Sequence, residues 1–431
     1  MPALYRQLTS LWGEGLSIAG STPWLRRESC LSALLIVGLL LSGYKDVRLW
    51  VNAAAAWTYQ TTPIPQNPTY TRADVTTVIP TRGYSQDVGL LEEAVESHIR
   101  AGCEYIIISV PRENFLFVQE MPRTNAGNAT VLVVTSPIMN KRDQLSRGVL
   151  SIPESRKGSE KIIITADDDT IIPETAYPWI LAPFEDRKVG AVGTAQRARR
   201  VTTGSLLDYV VSSVYDLYLQ RRLFENLATL NIDRGISCLS GRLLAARAPI
   251  LADPEFLHRY TSETWRGRKL NADDDNHITE HIQRLGWEIR IQRHRGCTVV
   301  TVFNLEPAAL FGRCFRWQRT NHRRNLAKLA NMTWGDLRRY PWSTFALTLS
   351  GPVNYGIPVD ITFFVVLAET KQTWLVVSLP PYWLLRKSIK IMPLLKESWA
   401  GITLLPLSIA FGWTHDCCKI WAFLTLDETG L

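Results

Sequence analysis

Lys161-Ile-Ile-Ile-Thr-Ala-Asp-Asp-Asp-Thr170 is the stretch that decides the fold. Its apolar, β-branched run is of strand-forming type and carries the backbone to a sheet edge. There it presents Asp167, Asp168 and Asp169 together. Carboxylates this close raise one another's pKa. A hard divalent cation removes that cost, and Mg²⁺ or Mn²⁺ is commonly held by one or two carboxylates plus substrate phosphates. A strand ending in Asp-x-Asp therefore reads as a site for a metal and a diphosphate. A solvated acidic turn or a helix N-cap accounts for the same residues taken alone.

Outward from this run, strand and helix patterns alternate between Asp74 and about Arg295. Val75–Ile79 is a strand ending at Pro80-Thr81, Gly89–Ala101 is helical, and Tyr105–Val110 and Thr130–Thr135 are strands. Ser136–Leu150 reads as a helix carrying Lys141, Arg142 and Arg147. Strands separated by helices imply a mostly parallel α/β sheet. Such sheets bind ligands at the carboxyl ends of their strands, where the Asp cluster lies.

The chain has 431 residues, 46% of them hydrophobic, with 15 Trp and 14 Tyr, enough for a large core plus further segments. The formal net charge of +8 suits nucleotide phosphates or anionic lipid headgroups. No zinc-ligand spacing and no nucleic-acid module is present, which favours those two over nucleic acid, and no nucleic-acid partner is expected. Seven cysteines, an odd number without Cys-x-x-Cys, argue against a disulfide framework.

Ser29–Tyr44 is nearly free of charge, and with its flank reaches the roughly 20 residues that span a bilayer. The expected organisation is an N-terminal segment over 1–70, with a transmembrane helix at about 25–44 and a Pro-rich linker. A cytosolic catalytic domain over 71–305 follows, then basic interfacial helices over 306–340 and a C-terminal transmembrane region over 341–431. The expectation is an integral membrane protein of the plasma membrane or an endomembrane, in contact with membrane lipids.

Three further patterns follow the Asp cluster. Ser237-Cys-Leu-Ser-Gly-Arg-Leu243 is a small turn where backbone approaches a ligand closely. Asp273-Asp-Asp-Asn-His-Ile-Thr-Glu280 places three carboxylates at a helix N-terminus, where one suffices for capping. Arg313-Cys-Phe-Arg-Trp317 offers a guanidinium for a diphosphate and an indole as a flat wall for a sugar ring. A common loop, helix capping and a basic surface helix are the plain structural alternatives for the three.

In this order the motifs resemble the membrane-embedded family 2 glycosyltransferases, which include hyaluronan, chitin and cellulose synthases. The similarity is nearest to fungal type 2 glycosyltransferases described as polysaccharide synthases. Cys238-Leu-Ser-Gly241 is similar to the family's acceptor loop, and Asp274-Asp-Asn-His-Ile-Thr279 to its Asp-Asp-Arg-His-Leu-Thr string.

The resemblance implies a GT-A-type fold with flanking helices and transmembrane helices at both ends. Asp167 and Asp169 would bind the nucleotide diphosphate through Mg²⁺ or Mn²⁺, with Pro80 at the early nucleotide turn. Asp275 would be the general base, with Asp274 the near alternative. Arg316 would meet the diphosphate and Trp317 the acceptor sugar, with Ser240 and Gly241 beside the acceptor. The implied activity is inverting transfer from a nucleotide sugar, a UDP-sugar above all, to a growing polysaccharide, with export across the membrane. Transfer of one sugar to a membrane lipid, and an inactive scaffold, are the alternatives. Two departures stand out. Arg313 replaces the family's Gln, as in ceramide glucosyltransferases, and Ser109-Val110-Pro111 stands where many members carry an Asp for uracil. Asp87 and Glu113 are the candidates to replace that Asp.

Overall fold

The structure is a computed structural model describing residues 27–121, 129–201, 204–351, 354–369, 372–397 and 404–429. Its strands are β1 (Val75–Pro80), β2 (Tyr105–Pro111), β3 (Thr130–Ser136), β4 (Ile162–Ala166), β5 (Thr170–Ile171) and β6 (Val189–Thr194). They continue with β7 (Gln196–Ala198), β8 (Leu243–Arg247), β9 (Thr264–Trp265), β10 (Arg268–Lys269), β11 (Glu288–Gln292) and β12 (Val299–Thr301). The helices that bear on the site are α1 (Arg27–Thr58), α2 (Val88–Arg100), α3 (Lys141–Leu150), α4 (Leu206–Asp233), α5 (Asp274–Arg284), α6 (Pro307–Ala330) and α7 (Leu404–Leu424).

Seven strands form one sheet in the order β11-β6-β8-β4-β1-β2-β3. The pairs β1–β2, β1–β4, β2–β3 and β6–β11 are parallel, whereas β8 lies antiparallel between β4 and β6. The sheet is thus mostly parallel, as its near-continuous apolar runs suggest. β1, β4, β6 and β8 are buried along their whole length, as strands covered on both faces must be. Helix α3 lies close against β1: a Cβ placed on Gly148 would fall 2.4 Å from Val78 Cγ1. Only a glycine allows that approach. A three-stranded sheet, β5-β12-β7, stands beside the Asp cluster.

The described residues fall into two compact units. One combines the described parts of Met1–Trp50 and Asn354–Arg386; the other combines Val51–Val353 and Lys387–Leu431 and contains both sheets. Cys103, Cys238, Cys297, Cys314, Cys417 and Cys418 are free thiols.

The expected transmembrane helices, and the integral membrane placement drawn from them, are corrected here. Among the described residues no helix is long and apolar enough to cross a membrane. The segment expected at 25–44, whose residues 25 and 26 lie outside the described ones, is part of the 32-residue α1, which continues through Lys45, Asp46 and Arg48. Asp46 pairs there with Arg386 at 2.6 Å, and Lys45 donates to the Tyr355 carbonyl at 2.6 Å. Gly356–Glu369 and Thr373–Ser388 are helices of 14 and 16 residues, short of the span a bilayer needs, and the second contains Pro380 and Pro381. Residues 398–403 of the C-terminal block lie outside the described residues. Helix α7 is 21 residues long but carries His415, Asp416 and Lys419. Its Phe411 and Cys418 pack in a core cluster with Val211, Tyr215 and Cys314. Two basic residues of α6 are engaged within the chain: Arg323 pairs with Asp273 at 3.0 Å and Arg324 with Glu280 at 2.8 Å.

Candidate active site

The Asp cluster is clamped from both sides by backbone. Asp167 N donates to the Arg242 carbonyl at 3.1 Å, and the Asp169 carbonyl accepts from Val302 N at 3.0 Å. The three carboxylates then take different surroundings. Asp168 accepts from Thr81 Oγ1 at 2.6 Å, which ties it to the end of β1. Asp167 lies 2.7 Å from Lys141 Nζ. Burial, reinforced by the charges of Asp167 and Asp168, pushes the Asp169 carboxyl up to about 7. Arg242 and Arg313 oppose that rise. Burial also raises Asp168, against the Thr81 hydrogen bond.

The second acidic cluster opens α5. Asp273 adopts the left-handed conformation, with φ +67°, and turns its buried carboxylate away from its two neighbours' partners. It accepts from Arg323 Nε at 3.0 Å and from Arg323 Nη2 at 3.2 Å, and also from Thr320. Asp274 lies 2.8 Å from Lys141 Nζ. Burial would raise its pKa, but Lys141 outweighs that and holds the carboxylate low. The Lys141 ammonium in turn stays protonated: burial opposes its charge, and Asp167 with Asp274 overrides that. Asp275 accepts from Asn276 N at 2.9 Å and faces Arg222 Nη2 at 3.6 Å.

The Cys238–Gly241 loop runs against these carboxylates. Leu239 N donates to Thr279 Oγ1 at 2.9 Å, fastening the loop to α5. A Cβ on Gly241 would sit 3.4 Å from Asp275 Cβ and 3.5 Å from Asp274 Oδ2. Ser240 Oγ accepts from Arg242 Nη1 at 3.1 Å. Burial pushes the Cys238 thiol well up, and the Asp275 charge adds to this.

Helix α6 contributes Arg313, Arg316 and Trp317, which share one face at spacings of three and four. Burial lowers the Arg316 pKa, while Asp274 and Asp167 oppose that loss. The Trp317 indole stacks on Tyr218, with ring centroids 4.6 Å apart and planes at 20°. The Arg242 guanidinium lies 5.5 Å from the Trp317 centroid and 5.3 Å from that of Phe303. One ring face is thus already covered by an aromatic neighbour.

Pro80, Asp167, Asp169, Ser240, Gly241, Asp274, Asp275, Arg316 and Trp317 all line one cleft of about 1390 Å³. Asp87 lines it too, whereas Glu113 is not part of its wall. Sequence reasoning assigned no role to Lys141, Tyr218, Arg222 and Arg242, which line the same cleft. Lys141 was legible only as one of three cations on a helix, and Arg242 only as a neighbour of Gly241. The chain segment Asp427–Thr429 also lines the cleft: Glu428 pairs with Arg319 at 2.5 Å, and Arg323 Nη1 donates to the Leu426 and Glu428 carbonyls at 3.1 Å.

Residues 78–320 match the family described as glycosyltransferase like family 2. A type 2 glycosyltransferase of Pyricularia oryzae is 33% identical over 417 residues, covering 95% of this chain and 82% of that one. The NDP-glycosyltransferase ltbB of Aspergillus luteorubrus is 30% identical over 298 residues, 67% of this chain and 70% of that one. Among solved structures, the mannosyltransferase PcManGT from Pyrobaculum calidifontis, in complex with GDP-Man and Mn²⁺, matches with a TM-score of 0.53 at 15% identity. The match covers 90% of this chain and 99% of that chain, which shows a shared fold. A mostly parallel sheet with an Asp-x-Asp turn at its carboxyl edge, together with a family match through the Arg313–Trp317 helix, makes this chain a member of the family 2 glycosyltransferases.

Proposed function

We propose that the enzyme transfers a sugar, with inversion, from a nucleotide sugar of the UDP type to a hydroxyl of a glycan acceptor, forming a β-linkage. The observation that carries this reading is the sharing of Lys141 between Asp167 and Asp274 inside one cleft. It puts Asp167, one of the two carboxylates proposed for the diphosphate, and Asp274, the near alternative for the base, on a single ammonium. The GDP-Man bound to the mannosyltransferase of similar fold supports a nucleotide-sugar donor.

Asp167 and Asp169 are the residues that would hold Mg²⁺ or Mn²⁺. Among the described residues no three His, Cys, Asp or Glu side chains are placed to enclose a metal ion. Two carboxylates completed by substrate phosphates suit a hard cation without such a cage. The buried Asp169 carboxyl, pushed up to about 7, carries the unfavourable charge that a cation relieves. When bound, the cation supplies charge neutralisation for the departing diphosphate.

Asp275, or Asp274 beside it, accepts the proton of the acceptor hydroxyl as its oxygen attacks the anomeric carbon. The bond from that carbon to the diphosphate breaks on the opposite face, which inverts the configuration. A positioned base contributes about 10²- to 10⁴-fold. Arg316 and Lys141 face the negative charge that develops on the leaving group. Trp317 and Tyr218 orient the acceptor ring, and Ser240-Gly241 borders it.

A second reading, transfer of one sugar to a lipid hydroxyl, is favoured by Arg313, whose guanidinium lies 5.1 Å from the Phe303 centroid in place of the family's Gln. Incubating purified enzyme with labelled UDP- and GDP-sugars and separating the products tests both. Labelled polymer supports the first reading and labelled glycolipid the second. No transfer and no donor hydrolysis with any nucleotide sugar overturns both.

A further inference from the structure

A second cavity, of about 480 Å³, is lined by the C-terminal halves of α5 and α6 and by the π-helix Thr344–Leu349. Its size falls in the range of small-molecule sites. Four cations, Arg284, Arg324, Lys328 and Arg339, face two carboxylates, Glu280 and Asp336. Most of these charges are satisfied within the chain. Arg284 and Arg324 pair with Glu280 at 2.5 and 2.8 Å, Arg339 donates to the Gly286 carbonyl at 2.8 Å, and Asp336 accepts from Thr333 N at 3.0 Å. Lys328 differs. Among the described residues its ammonium has no hydrogen-bond or ion-pair partner, and burial lowers its pKa although Glu280 lies nearby. The hydroxyls of Tyr340, Thr344 and Thr348 line the same cavity and likewise have no partner among the described residues.

A half-buried cation without a direct ion-pair partner is costly unless a ligand completes it. Arg324 also pairs with Glu263 at 2.9 Å, so the four cations meet three carboxylates, and the charge of Lys328 is left for an anionic group such as a phosphate monoester. A cavity of this volume exceeds what phosphate alone fills, and three free hydroxyls offer partners to a polyol. We propose that this cavity is a second ligand site that takes a phosphorylated monosaccharide, with the phosphate on Lys328 and the sugar hydroxyls on Tyr340, Thr344 and Thr348.

The site is tied to the catalytic cleft by the two helices that line it. α5 begins with Asp274 and Asp275 and ends at Arg284; α6 carries Arg316 and, about 18 Å further along its axis, Lys328.

Calorimetric titration of the full chain with glucose 6-phosphate, inorganic phosphate and glucose tests the proposal. Glucose 6-phosphate is expected to bind, inorganic phosphate more weakly and glucose not at all. Lys328→Gln should weaken glucose 6-phosphate binding by about tenfold or more, because a charge-assisted hydrogen bond is lost. Lys328→Arg should keep most of the affinity and Arg316→Gln all of it. Absence of binding to the native chain, or unchanged affinity in a folded Lys328→Gln protein, overturns the site. Loss of binding in Arg316→Gln overturns it as well, by placing the probe in the catalytic cleft. Equal affinity for inorganic phosphate overturns the sugar assignment. Should Lys328→Gln not fold, Thr348→Val decides, with weakened binding expected and unchanged binding overturning the site.

Discussion

Asp167 at the end of β4 and Asp274 at the start of α5 share one counter-ion, the Lys141 ammonium, at 2.7 and 2.8 Å. These two carboxylates come from strand and helix segments more than a hundred positions apart, and the lysine comes from a third element, α3. In the proposed reaction this would couple the donor side to the acceptor side through a single charge.

Removing that charge should be felt on both sides. Lys141→Gln is expected to lower turnover by roughly 10²-fold, as loss of one preorganised electrostatic donor does. It should also weaken nucleoside diphosphate binding, which titration calorimetry reads. Turnover and binding both unchanged would mean that the bridge is a resting-state contact only.

Activity should require Mg²⁺ or Mn²⁺ and be lost in chelator. Asp167→Asn and Asp169→Asn should each weaken nucleoside diphosphate binding in the presence of Mn²⁺ as well as turnover. An Asp169→Asn enzyme fully active in chelator would refute the metal assignment.

The three consecutive aspartates at the N-terminus of α5 should separate cleanly. Asp273→Ala removes one partner of a buried ion pair with Arg323 and should destabilise the fold by about 3–5 kcal/mol, measured by denaturant titration. Asp275→Asn should leave stability and donor binding nearly intact while lowering kcat by about 10²-fold or more. If Asp274→Asn shows that pattern and Asp275→Asn does not, the base is Asp274. If neither slows transfer, the reading loses its base.

Acid should weaken the fold through Glu263. Burial would raise this carboxyl, but His277, Arg324 and Arg142 together hold it down to about 2, from an ordinary value of 4.5. A group depressed on folding stabilises the protein above its unfolded pKa, and that contribution fades as pH falls through the folded value. Stability should therefore drop between about pH 4.5 and 2, by at most about 3 kcal/mol from this group. Glu263→Gln should flatten that part of the curve in pH-dependent urea melts; an unaltered slope would remove the assignment.

The strands β1 to β4 and the Asp-x-Asp turn were legible because their signals are local. A run such as Ile162-Ile-Ile-Thr165 states its burial by composition alone, and a carboxylate cluster after it states its charge. Strand β8 was not, since Leu243-Leu-Ala-Ala-Arg247 carries no mark of the antiparallel slot between β4 and β6 that it fills. The apolar blocks after Trp342 were misread as bilayer spans. Their hydrophobicity is real, but helix length and interruption by Pro380, Pro381, Asp416 and Lys419 depend on where each helix starts and stops.

The aspartates mark the boundary between the two kinds of knowledge. Sequence by itself determined that acidic residues end a buried strand and begin a helix, because strand burial and helix starts follow from residues within a turn or two. Only the tertiary structure decided that Asp273 is taken by Arg323, 50 positions later, and that Asp274 joins Asp167 through Lys141, while Asp275 faces Arg222. Identical side chains one residue apart differ in partner because the left-handed turn at Asp273 and the helical rotation after it point each carboxylate at a different segment. Charge–charge energy falls with distance through space, and distance along the chain does not reveal it.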